Sequence, residues 1–224
     1  GEAVVTAVAG DLPVAHLAEA DAVLVVGAEP PAGEATGAES LAGEALRAFV
    51  AAARPVRSMD PLTPLHSARA VAERAPAATE RTPAHAGRFR FEAALLTAAE
   101  QLGSAARTTE EAVQHAGSRE QFGSPVGAFQ AVKHLCADML ARTEPARAAV
   151  YAAAVTGDPV EIAAAKLLAD EAAVRNARDC LQIHGGMGFT WEADVHLHLK
   201  RAWLRAASWL TGAGAEELLA ADLG

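Results

Sequence analysis

The stretch LQIHGGMGFTWEADVHLHLKRA, residues 181–202, is the most informative part of the chain. A second distinctive stretch, SREQFGSPVGAFQAVKHLCADM, precedes it at residues 118–139. Each combines apolar residues at helical spacing with a glycine-containing turn, so each is expected to place polar groups where a helix meets a loop. Between them, Gly157-Asp158-Pro159 predicts a helix start, with Asp158 as the N-cap and Pro159 at the first helical position.

Around these stretches the sequence predicts four long helices with short connections, which together indicate an antiparallel four-helix bundle. The first helix is expected at Phe91–Ala116, and the second follows the loop 117–126 with Phe129, Val132, Cys136 and Met139 on one apolar face. The third is expected from Pro159 to about Ile183, and the fourth at Asp194–Leu210. The pair Gly185-Gly186 is expected to end the third helix. Pro145 lies inside the second helix and is expected to kink it, at a cost of about 3 kcal/mol.

The first 85 residues have a different sequence pattern, with shorter apolar runs. Short apolar runs at Ala3–Val8 and Ala22–Ala28 are rich in valine and predict buried strands, whereas residues 29–39 predict a surface loop. Residues 46–50 and 56–59 are candidates for further strands, although residues 44–53 also fit a helix, and residues 75–86 resemble a linker. The predicted fold class is therefore α+β, mainly α, with a small β-rich domain at 1–85 and a helical domain at 86–224.

Composition excludes several classes of function. The formal net charge is −9, which disfavours nucleic acids and anionic membrane surfaces as partners. No apolar run is long enough for a membrane span. The two cysteines, Cys136 and Cys180, predict free thiols in a reducing cytoplasm. His184, His196 and His198 lack the further ligands of a metal site, so no metal is expected.

Two groups in the distinctive stretches suit ligand binding. Arg119 follows a long helix, where a guanidinium can hold a phosphate or carboxylate with two hydrogen bonds; a plain surface arginine is the alternative. Gln182 precedes His184-Gly185-Gly186, where the absence of Cβ atoms lets a ligand approach the backbone; a simple helix stop is the alternative.

Together the two stretches resemble the paired motifs RxxFGxPxxxFQxVxHxxADM and QIHGGMGFxxE of the acyl-CoA dehydrogenase family, and the resemblance covers about residues 90–210. It implies the bundle fold and FAD-dependent α,β-desaturation of an acyl-CoA, with electrons passed to an electron-transfer flavoprotein. It also implies that the FAD is shared across a subunit interface. By resemblance, Arg119 meets the pyrophosphate, Phe122 lies beside the adenine portion and Gln130 supports that loop. The path of the diphosphate and ribose is lined by Gln182, Gly185 and Gly186.

The chain also departs from the family pattern. The motifs that cradle the flavin ring and the N-terminal helical domain are absent, so residues 1–85 resemble only the later part of the middle domain. The usual catalytic Glu in a YEGT-like turn has no counterpart in residues 208–212. In a minority of members the base lies early on the first bundle helix, where Glu92 or Glu100 fits only after a shift of register. One residue of shift turns a side chain by about 100°.

Three interpretations follow. The chain is a partner subunit of a heteromeric acyl-CoA dehydrogenase, of the kind that shortens sterol side chains or unusual acyl groups. Alternatively, it is a non-catalytic structural or assembly module that kept the bundle and lost redox function. The third interpretation is a fragment of an ordinary dehydrogenase, since the sequence begins with Gly1.

Overall fold

The computed structural model describes residues 5–9, 13–20, 22–26, 38–68, 81–82 and 86–223. The chain divides into two compact units, Gly1–Arg90 and Phe91–Gly224. Within the described residues no helix is long and apolar enough to cross a membrane.

Among its described residues, the first unit has seven short strands, one 3-10 helix (Leu17–Glu19) and one α-helix. The strands are β1 (Val5–Ala9), β2 (Val14–Ala15), β3 (Ala22–Val26), β4 (Ala38–Ala42), β5 (Arg54–Val56), β6 (Leu65–Ser67) and β7 (Arg81–Thr82), and the α-helix is α1 (Gly43–Ala52). One sheet has the order β1-β3-β4-β7, with β1 and β3 parallel and the other pairs antiparallel. A second, antiparallel sheet has the order β2-β6-β5. The small core of this unit consists of Val14, Leu17, Val23, Leu46, Phe49 and Ala68.

The strands predicted at Ala3–Val8 and Ala22–Ala28 correspond to β1 and β3. The strand predicted at 46–50 is wrong, because α1 occupies these residues and buries Leu46 and Phe49 on one side. That spacing of three is helical, and the alternative of a helix at 44–53 is the correct one. The strand predicted at 56–59 is also wrong beyond its first residue, since β5 ends at Val56.

The expected loop 29–39 and linker 75–86 lie mostly outside the described residues. At their edges, Ala38 and Glu39 begin β4, Arg81 and Thr82 form β7, and Ala86 begins the next helix.

The second unit is helical. Its helices are α2 (Ala86–Ser118, which begins in the first unit), α3 (Gln130–Thr156), α4 (Pro159–His184), α5 (Val195–Ala206) and α6 (Gly212–Leu223). The expected mainly α, α+β fold class is thereby confirmed, with α2 to α5 as the four predicted bundle helices. At the start of α4, Asp158 caps as predicted, since its carboxylate accepts from the N–H groups of Val160 (2.8 Å) and Glu161 (3.1 Å). Pro145 lies on the exposed side of α3, which continues through it as one helix.

The fourth bundle helix is shorter than predicted, and the helix after it was not predicted. α5 ends at Ala206 instead of Leu210, because Trp209 adopts a left-handed backbone with φ of 64°. α6 then starts beside Thr211, whose hydroxyl accepts from the N–H of Gly214 (3.3 Å). Glycines in its first turn conceal this helix in the sequence.

Alanine forms much of the bundle core, and its small side chain lets the helices approach closely. One cluster consists of Ala94, Ala98, Leu102, Ala105, Ala146, Val150, Ala153, Ile162, Ala165, Ala169, Ala172, Ala173 and Ala202. A second cluster lies near the end of α4 and consists of Ala112, Ala116, Met139, Cys180, Leu181, Ile183 and Val195. The second cluster packs beneath the ends of α2 and α4.

Candidate cofactor-binding site

The Arg119 motif folds as a tight β-hairpin directly after α2. The strands β8 (Glu120–Gln121) and β9 (Ser124–Pro125) are joined by Phe122 and Gly123, which have φ values of 54° and 78°. Two consecutive residues of positive φ are what a type I′ turn requires. Phenylalanine is rarely found in this conformation, so the turn holds Phe122 under backbone strain.

The strained turn presents an aromatic ring to solvent. The Phe122 side chain is 93% exposed and meets Phe129 edge to face, with 6.2 Å between ring centroids. Gln130 follows Phe129, and its Nε2 lies 2.9 Å from Nε2 of His134. An exposed aromatic ring held by the backbone is suited to contact another flat ring.

The second motif forms the turn that ends α4. Gly185 has φ of 60° and ψ of −142°, a conformation that favours glycine, and its N–H donates to the carbonyl of Gln182. A Cβ atom built on Gly185 or Gly186 would meet nothing within 4 Å, so this backbone faces open space. Gly188 differs, because a Cβ there would lie 3.0 Å from the carbonyl oxygen of Leu181. The two predicted glycines are therefore accessible to a ligand, whereas Gly188 is required for packing.

The structure brings the two motifs together through a pair of histidines. His115 on α2 stacks on His184 on α4, with 4.0 Å between ring centroids and 26° between ring planes. The backbone N–H of Arg119 donates to the carbonyl of His115 (2.8 Å), and Gly185 directly follows His184. An open depression of about 250 Å³ lies at this pair and is lined by Glu111, Gln114, His115, Ser118 and His184.

The electrostatics of this end of the bundle favour an anionic ligand at Arg119. The Arg119 side chain is exposed and makes no ion pair with any residue that the structure describes. Burial lowers the pKa of His115, and the nearby His184 and Arg119 lower it further. An exposed guanidinium on the hairpin, which the His115–His184 contact joins to the turn with two open glycines, fits an extended diphosphate.

Comparison with known proteins identifies the family. Residues 85–224 match the family model described as "Acyl-CoA dehydrogenase, C-terminal domain". The chain belongs to the acyl-CoA dehydrogenase family. Members of this family are flavin-dependent oxidoreductases that act on CH–CH groups, as the resemblance of the two motifs implied.

Two curated relatives come from Mycobacterium tuberculosis. Acyl-CoA dehydrogenase FadE34 is 47% identical over 150 residues, which cover 58% of this chain and 21% of FadE34. Acyl-CoA dehydrogenase IpdE2 is 47% identical over 110 residues, which cover 49% of this chain and 35% of IpdE2. The matched stretches thus cover well under half the length of either relative.

Solved structures show the same fold. Butyryl-CoA dehydrogenase from Megasphaera elsdenii matches with a TM-score of 0.77 at 20% identity, and the match covers 100% of this chain and 63% of that one. The Tcur3481-Tcur3483 steroid ACAD variant matches with a TM-score of 0.75 at 21% identity, covering 100% of this chain and 63% of that one.

The two candidate catalytic carboxylates of this acyl-CoA dehydrogenase chain lie apart from the glycine turn in sequence and are both exposed on α2. Glu100 is bound to Arg205 of α5, with 2.9 Å between Oε2 and Nε. Glu92 is eight residues earlier, so the two side chains point about 80° apart around the helix. In the segment that replaces the YEGT-like turn, Trp209 packs against the core of the bundle.

The histidines of α5 have structural partners. His198 Nδ1 lies 2.8 Å from the hydroxyl of Ser104, and His196 meets Trp191 edge to face with 4.7 Å between ring centroids. Among the residues that the structure describes, no group of three or more His, Cys, Asp or Glu side chains could hold a metal ion.

Sequence reasoning missed His115. The only local signal is its place one helical turn before Arg119, because its stacking partner lies on another helix.

Proposed function

We propose that the chain supplies one face of a shared FAD site in an acyl-CoA dehydrogenase that desaturates an acyl-CoA thioester at its α,β bond. A second acyl-CoA dehydrogenase-like subunit completes the site. The observation that carries this proposal is the convergence of the Arg119 hairpin and the Gly185–Gly186 turn at one end of the bundle. Residues 86–224 act as the helical domain, and residues 1–85 as part of a middle β domain.

Each predicted site residue has a role in this arrangement. Arg119 binds the FAD pyrophosphate with two charge-assisted hydrogen bonds. Phe122 contacts the adenine portion, and Gln130 supports the hairpin. The diphosphate and ribose run along Gln182, Gly185 and Gly186. When bound, FAD supplies the hydride acceptor of the desaturation.

The partner subunit supplies the catalytic base. Glu100 is already bound to Arg205, and the chain has no carboxylate in residues 208–212. We therefore expect Glu92→Gln and Glu100→Gln to retain acyl-CoA oxidation in the assembled enzyme. Loss of activity in either variant, with normal FAD content, would place the base on this chain.

The substrate class is acyl-CoA, and the electron acceptor is an electron-transfer flavoprotein. A curated relative is short-chain specific, another is a 3-sulfinopropanoyl-CoA desulfinase, and one solved relative is a steroid ACAD, so the acyl group varies among relatives. Sterol side-chain and fatty acyl-CoA thioesters belong in the first substrate panel. The free thiols Cys136 and Cys180 support a cytoplasmic location.

The test is the FAD content of the protein purified with and without its co-encoded partner. We expect a flavin absorbance spectrum and acyl-CoA oxidation only in the assembled complex. Arg119→Ala should weaken FAD binding by at least about tenfold, since each hydrogen bond to a charged group contributes about 1.5–3 kcal/mol. Arg147→Ala is the matched control, because Arg147 is on α3 and pairs with Glu144.

Other outcomes separate the alternatives. Unchanged FAD content in Arg119→Ala would favour a structural or assembly module that has lost redox function. Stoichiometric FAD and acyl-CoA oxidation by the isolated chain would refute the need for a second subunit. An intact-mass measurement, with the upstream reading frame, distinguishes a fragment of an ordinary dehydrogenase.

A further inference from the structure

The stacked pair His115–His184 lies directly beneath both segments of the proposed FAD site. His115 is in the last turn of α2, and its carbonyl accepts the N–H that begins the Arg119 hairpin (2.8 Å). His184 is the last residue of α4, immediately before Gly185. The ring contact therefore joins the two segments across the helix ends, at 4.0 Å between centroids.

The ring of His184 is held in one orientation. Its Nδ1 lies 2.8 Å from the carbonyl oxygen of Cys180. A carbonyl can only accept, so Nδ1 carries the proton and donates, which leaves Nε2 without a proton in the neutral ring. The Cys180 side chain beside it is fully buried. His184 thus provides a fixed flat surface for the ring of His115.

The surroundings favour the neutral form of His115. Burial lowers the pKa of His115, and His184 and Arg119 add like charge against its protonation. Glu111, Gln114 and Ser118 line the depression beside the pair, and the Glu111 carboxylate is bound to Arg107 (2.9 Å). The pair therefore contributes a planar spacer between the two segments.

We propose that the His115–His184 stack is a positioning element of the cofactor site. It fixes the separation of the Arg119 guanidinium from the Gly185–Gly186 backbone, so that both reach one diphosphate. This inference rests on the proposed function. Preorganisation of this kind raises affinity because less ordering is required when the ligand binds.

The test measures ADP and FAD binding by calorimetry to the protein in the assembly in which it is isolated. His115→Ala removes the ring, and we expect the ADP dissociation constant to rise roughly tenfold. His115→Phe keeps a flat ring of similar size, and we expect it to restore affinity to within about twofold. His115→Leu keeps side-chain volume without a planar ring, and we expect the same rise in the ADP dissociation constant. It takes the place of His115→Ala if the alanine variant fails to fold.

Val150→Ala is the matched control for stability. Val150 is 3% exposed in the core cluster of α2 to α5 that does not contain the stack. This variant should lower the melting temperature and leave the ADP dissociation constant unchanged. A merely structural role of His115 predicts that both alanine variants affect ADP binding alike.

The outcomes distinguish this inference from the function on which it rests. Normal ADP affinity in His115→Ala and His115→Leu, with weakened affinity in Arg119→Ala, overturns the positioning role and leaves the proposed FAD site intact. Failure of His115→Phe to restore affinity overturns it too, because the imidazole would then act through its nitrogens. Normal affinity in all variants including Arg119→Ala contradicts the proposed function itself.

Discussion

Replacing Asn176 with leucine removes a side chain that links three helices of the bundle. Asn176 lies on α4 and is 0% exposed. Its Nδ2 is within hydrogen-bonding distance of four oxygens on α2 and α3, namely Ala105 O (3.3 Å), Thr109 Oγ1 (3.1 Å), Met139 O (3.0 Å) and Thr143 Oγ1 (2.9 Å). Its Oδ1 accepts from Nε of Arg142 (2.9 Å), which also pairs with Asp179.

The magnitude follows from the groups that lose a partner. An amide nitrogen has two hydrogens, so the four contacts amount to two well-formed bonds at a time, worth about 1 kcal/mol each. The bond from Arg142 involves a charged group and contributes about 1.5–3 kcal/mol. Leucine regains roughly 1–2 kcal/mol by burying apolar surface. We therefore expect Asn176→Leu to lower the free energy of unfolding by about 1.5–4 kcal/mol.

Urea denaturation followed by helical circular dichroism tests this value. The midpoint should fall while the slope m stays constant, which indicates a change in stability alone. Glu144→Ala is the control, because Glu144 forms an exposed pair with Arg147 (3.3 Å) worth at most about 0.5 kcal/mol. A loss below about 1 kcal/mol for Asn176→Leu would mean that the network contributes little net energy, and would refute the reasoning.

Three further changes are expected to have measurable effects. Asp158→Ala removes the N-cap of α4 and should cost about 1 kcal/mol in urea denaturation, whereas Asp158→Asn should cost less. Gly127→Ala places a Cβ 2.8 Å from the carbonyl oxygen of Ala116 and should lower stability by about 1–3 kcal/mol; an unchanged melting temperature would contradict this contact. Burial lowers the pKa of His198 below 6.5, so the folded state binds fewer protons than the unfolded state and stability is lost as the pH falls below 6.5. When the pH is lowered from about 7 to about 5, the urea midpoint of His198→Gln should therefore fall less than that of the unsubstituted protein.

Much of the bundle could be predicted because its boundaries are encoded locally. Asp158 and Pro159 begin α4, and Gly185 ends it by adopting a positive φ, which are properties of short segments. The strand predicted at 46–50 failed because a short apolar run fits a buried strand as well as one helical face. Burial of Leu46 and Phe49 on the same side of α1 decides between them, and that is a property of the packed unit.

The candidate site was predictable only in part, for a similar reason. Arg119 and the glycines are marked by motifs, whereas His115 becomes important through a contact with another helix. The end of α5 is also set by tertiary context. Trp209 adopts a positive φ and packs against the bundle core, and neither property follows from the residues around it.

The topology shows what a guanidinium contributes at this end of the bundle. Helices alternate in direction, so α2 and α4 both finish at the end where His115 stacks on His184. Helix C-termini carry partial negative charge, which opposes a diphosphate. The C-termini of α2 and α4 themselves give an anionic ligand no attraction, and a side-chain cation beside them offsets their partial negative charge. Arg119 follows α2 directly and is in position to provide it, which is why its removal is the most direct test of the proposed site.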